Sequence, residues 1–190
     1  MTPEMLPPDL RQVLADVAKN EADAEKVVAG LSTAQLNWRP NEGKSWSILQ
    51  CLEHLRLANT RYLDAMRPVV RKSDSARCPR RGPISPSLFG RIFVGALEPP
   101  VKLKGPAPGM IQPDSTLDPE RVVSAWKNTH QSIRELAISA AALDLNALEM
   151  TNPFVKQLNV NLGTAFLILA AHGRRHVWQA ARVRDLLSAG

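Results

Sequence analysis

Only two cysteines, Cys51 and Cys78, occur in 190 residues. So few exclude a disulfide-stapled secreted scaffold, and both are expected to be reduced thiols. Aromatic residues make up 5% of the chain, and the densest basic run, Arg71 to Arg81, contains none. A groove for single-stranded nucleic acid needs aromatic platforms among its cations. Helix-turn-helix, zinc-finger and RNA-recognition patterns are also missing. The run therefore reads as a solvated basic loop, and no nucleic-acid partner is expected. No apolar stretch approaches the roughly 20 residues that span a bilayer, and MTPEMLPPDLRQ at the start lacks a charged-then-apolar signal pattern. The expectation is a cytoplasmic protein without a membrane partner.

The chain does carry an excess of positive charge, +6 with a pI near 9.7, which permits an anionic ligand or non-specific attraction to nucleic acid or a membrane surface. At this length one domain spanning 1–190 can bury a core without disulfides or metal. Four long segments repeat apolar residues at helical spacing, and no convincing strand alternation is seen. The first runs from about Pro8 to Gly30. After it, Ser32 caps a short turn through Leu36, and residues 37–46 form a loop broken by Pro40 and Gly43. Ser47 with Gln50 makes a capping box for the second, which is expected to stop near Arg67 because Pro68 follows. Asp118 and Pro119 open the third, to about Ala142. Asn161 caps the last, Leu162 to about Leu187. Residues 143–159 read as irregular. Ten of the fifteen prolines fall between Pro68 and Pro119, so that stretch is expected to be an excursion with one short helix near Pro86–Leu97. The fold class is all-α, a helical bundle.

Two histidines stand four residues apart in AAHGRRHVWQAARV, His172 and His176. Four residues turn a helix through roughly 400°, so both imidazoles leave one face about 6 Å apart. Gln179 lies on the same face, one turn beyond. A third ligand is offered by His54 on the second helix, which would place a metal site between two packed helices. Glycine at 173 excludes a zincin, which needs a glutamate base directly after its first histidine. Around this set, Cys51 reads as a small buried hydrophobe and His130 as a half-buried surface histidine. Glu53 is turned roughly 100° from His54, and Arg174 is expected to face solvent. Three neutral imidazoles leave a divalent ion an open position, the mark of a catalytic site, and suit zinc, nickel, iron or copper.

The segments WRPNEGKSWSILQCLEHL and AAHGRRHVWQAARV, in this order and more than a hundred residues apart, resemble the DinB/YfiT-like superfamily of bacterial metalloenzymes. Trp46-Ser47, His54, His172, His176 and Gln179 fill the places of that pattern. The resemblance implies a four-helix bundle, up-down-down-up, with the Pro-rich stretch as the crossover between helices two and three. It also implies one divalent metal ion on the three histidines and Gln179 beside the site. Relatives include transferases and isomerases that use low-molecular-weight thiols, so a thiol cofactor and a small-molecule substrate are implied. A non-catalytic metal-binding stress protein and a metal-dependent hydrolase are the alternatives, and a homodimer is left open. One departure stands out: many relatives carry glutamate where this chain has Gly173.

Overall fold

The computed structural model describes residues 5–73, 75–101 and 107–188. The middle of the Pro-rich excursion, 102–106, and Asp74 in the basic run lie outside the described residues. Among the described residues the fold is all-α apart from one small hairpin and a single bridge between Pro79 and Leu143. Its helices are α1 (Pro8–Val28), α2 (Thr33–Asn37), α3 (Ile48–Lys72), α4 (Leu88–Leu97), α5 (Pro119–Ala140) and α6 (Leu162–Ser188). Strands β1 (Glu149–Thr151) and β2 (Asn159–Asn161) pair antiparallel, with Met150 opposite Val160. That hairpin corrects the expectation of an irregular stretch. It was invisible to periodicity because each strand has three residues, of which only the central one is buried.

The helix starts follow from their caps. Ser47 Oγ accepts from the Gln50 amide at 3.1 Å, and Gln50 Oε1 accepts from the Ser47 amide at 3.0 Å. Asp118 accepts from the Arg121 amide at 2.7 Å, with Pro119 in the first helical position. Asn161 accepts from the Thr164 amide at 2.7 Å. The expected stop at Pro68 is wrong, for α3 continues through it to Lys72. A proline costs the bond to the residue four before it. Here that residue is Asp64, on the exposed side of α3, while Val70 beyond the proline is buried in the core.

Each of α1 and α3 packs on both α5 and α6. Two apolar clusters fill the space between them. One gathers Val13, Val17, Leu63, Met66, Ile133 and Phe166, the other Val27, Leu49, Leu52, Trp126 and Val177. On every long helix the stretch between the clusters carries buried polar groups: Asn20 on α1, Asn59 on α3, Thr129 and His130 on α5, and His176 on α6. Small residues let the backbones come close in this layer. A Cβ on Gly173 would stand 2.3 Å from Asn20 Nδ2, the same atom that donates to the Ala170 carbonyl at 3.0 Å.

Candidate metal centre

The polar layer opens into a histidine cluster on one side. His54 from the first half of α3 meets His172 and His176 from the middle of α6, and one ring nitrogen of each lies within 4.8 Å of the others. Ring centroids are 4.5 Å apart for His54 and His176, 4.6 Å for His172 and His176, and 5.0 Å for His54 and His172. His54 and His176 are buried, whereas His172 keeps part of its surface accessible. Trp46, the residue before the α3 cap, forms a wall, with its ring 4.8 Å from His54 and 5.8 Å from His176.

Hydrogen bonds orient two of the rings. His54 Nδ1 donates to the Ile111 carbonyl at 2.9 Å, since a carbonyl can only accept, and His54 Nε2 is left with its lone pair. His176 Nδ1 lies 3.0 Å from Gln179 Oε1, an arrangement that likewise turns the lone pair of Nε2 away from the glutamine. His54 Nε2 faces His172 Nε2 at 3.2 Å, a contact that needs either a proton or a cation between the two nitrogens. Burial lowers the pKa of all three. His54 is lowered, with Arg175 adding to the effect against the Ile111 bond. His172 is pushed down to about 3 by desolvation, then by His54 and Arg175. His176 falls well below its usual value by burial and then by the other two histidines. All three are therefore neutral near pH 7 and able to donate a lone pair. In donor type, orientation and protonation the cluster fits a divalent ion.

Other expected residues fall out differently. Gln179 is half-buried with its oxygen on His176. Cys51, on α3, is fully buried in the second apolar cluster, and burial pushes its thiol pKa up. Glu53 is buried and held by both Arg56 Nε and Nη2, at 2.8 and 2.7 Å. Arg174 does not face open solvent. It donates to both oxygens of Glu98 and pairs with Asp16 at 2.9 Å, because the excursion folds back along α6 and supplies a carboxylate that helical angles could not foresee. His130 is no surface histidine either. It is buried, packs edge-on to Trp126 and lies 3.3 Å from Glu21, outside the cluster, because α1 covers that side of α5. The basic run is only partly a loop: Arg71 belongs to α3, and Arg80 is held by Asp9.

Several participants escaped sequence reasoning. The Ile111 carbonyl belongs to a short 3-10 turn, Gly109–Ile111, within the excursion, and backbone acceptors leave no side-chain signature. The role of Trp46 as a wall could have been found, since it stands at the cap of the helix that carries His54. The place of Gly173 is explained by Asn20, which is 153 residues away in sequence and carries no motif.

No curated protein and no solved structure matches the chain. The model of the DinB superfamily matches residues 17–180. That span holds all three histidines and Gln179, and the chain belongs to the DinB superfamily.

Proposed function

We propose that the chain is a metal-dependent enzyme in which His54, His172 and His176 hold one divalent ion and a low-molecular-weight thiol is used for S-transfer or isomerisation of a small substrate. The observation that carries this reading is the convergence of three neutral imidazoles within 4.8 Å. A divalent ion held there would supply an open position that binds a thiol as thiolate. Gln179 holds the His176 ring in orientation through Nδ1, and the Ile111 carbonyl does the same for His54. Trp46 narrows access and excludes water from one side. The positive charge of Arg175 adds to burial in lowering the pKa of all three histidines. A positive side chain beside the cluster suits an anionic partner such as a thiolate.

The same reading takes the chain as a single domain, a four-helix bundle arranged up-down-down-up. Glu21 with Arg134 and Glu25 with Lys127 support an antiparallel α1 and α5. Asp16 with Arg174, and the Val27 carbonyl with Arg184, support a parallel α1 and α6. Asn59 with Thr129, and the cleft shared by Arg67, Arg71, Ser132 and Ser139, support a parallel α3 and α5.

The test is a panel of metal-loaded protein with bacillithiol, mycothiol, glutathione or coenzyme A and electrophilic acceptors, run beside ester and amide substrates. Metal-dependent consumption of acceptor with one of the thiols is expected. Turnover of esters without any thiol response would assign a hydrolase. Silence on both panels with metal binding intact would favour a non-catalytic metal-binding protein, a reading helped by Asn20 filling the space at Gly173 where many relatives carry glutamate.

A further inference from the structure

Helix α4 presents an apolar face to water. Leu88 is 69% exposed, Ile92 63%, Phe89 54% and Phe93 37%. The two phenylalanine rings stack with centroids 6.3 Å apart. This orientation is fixed from the other side. Gly90 is buried, and a Cβ there would meet Thr164 Cγ2 of α6 at 3.1 Å, while Val94 and Leu97 pack on the main core. The helix therefore cannot turn its large residues inward without giving up that close approach. Contiguous exposed side chains of this size mark an interaction surface.

The charge around the face says what covers it. Residues 75–97 contain four arginines and no carboxylate, and of the carboxylates that flank them in sequence, Asp74 and Glu98, the second is taken up by Arg174. Arg80 is held by Asp9, but Arg77, Arg81 and Arg91 are exposed, and Arg91 stands on α4 itself. An isologous contact between two copies would have to be self-complementary, and α4 itself carries Arg91 and no carboxylate to pair with it. An anionic bilayer surface complements both features, taking the apolar side chains below its headgroups and the arginines at them.

We propose that α4 docks this protein on the surface of an anionic membrane. Leu88, Phe89, Ile92 and Phe93 enter the interface, and Arg91 with the exposed arginines before the helix meets the lipid headgroups. The docking is peripheral, since among the described residues no helix is long and apolar enough to cross a membrane. It also stands apart from the metal chemistry, although Glu98, the residue after α4, is the partner of Arg174 beside the histidines.

Co-sedimentation of the full chain with vesicles tests this. Binding is expected to phosphatidylcholine vesicles that contain phosphatidylglycerol, and not to pure phosphatidylcholine, and should weaken as salt rises. Ile92→Ser and Phe89→Ser should each reduce partitioning by on the order of tenfold. Arg91→Glu should reduce it severalfold. These positions are exposed, so unchanged far-UV helical signal and unchanged metal content in each variant would confirm that folding is intact. No binding to the anionic vesicles, or equal binding to both kinds, would overturn the proposal. A dimer in solution that Ile92→Ser dissociates, without vesicle binding, would give the face to a second copy instead.

Discussion

His130 illustrates what burial does to a single titratable group in this chain. Glu21 and Arg134 face it from α1 and α5, and desolvation outweighs Glu21 to push its pKa down to about 4. Between pH 6.5 and 4 the unfolded chain takes up a proton that the folded one refuses. Its contribution is thus complete above pH 6.5 and is lost as pH falls toward 4. The three clustered histidines are shifted the same way, so the test must isolate one. Denaturant midpoints measured across that window should fall less steeply in His130→Gln than in the parent, and equal slopes would contradict the assignment. Gln179 is the corresponding residue at the histidine cluster. Gln179→Ala removes the acceptor of the His176 Nδ1 proton. It should weaken zinc affinity by roughly tenfold or more in a competition titration while leaving the ligand count intact.

At the scale of elements, the contact between α1 and α6 depends on Gly173. Replacing it by alanine gains about 1 kcal/mol of helix propensity, yet the new Cβ would sit 2.3 Å from Asn20 Nδ2 and break its bond to the Ala170 carbonyl. Overpacking should win, with a net loss of about 1 to 2 kcal/mol. In an Asn20→Ala background the same substitution should be neutral or stabilising, and a double-mutant cycle by chemical denaturation reads the difference. Such contacts explain what could be read from the chain in advance. Ser47, Gln50, Asp118 and Asn161 announce their helix starts because capping is local. His172 and His176 share a face by periodicity alone, and the addition of His54 needed only the idea of two helices side by side. Pro68 misled because the exposed side on which its bond is lost cannot be read from the proline itself. Arg174 and His130 misled because their partners, Glu98, Asp16 and Glu21, come from distant segments. The strands of the hairpin are too short for any alternation to register.

For the whole molecule, two apolar clusters stand on either side of the polar layer, and each draws on all four long helices. The fold should therefore survive without an ion. Chelation should lower the melting temperature and leave the far-UV helical spectrum in place; collapse of that spectrum would make the ion structural. Ligation by His54, His172 and His176 is tested by elemental analysis of the purified protein, loaded with zinc and freed of excess, beside His54→Ala and His176→Ala prepared alike. One equivalent in the parent and little in either variant is the expected result, and equal metal in all three would contradict it.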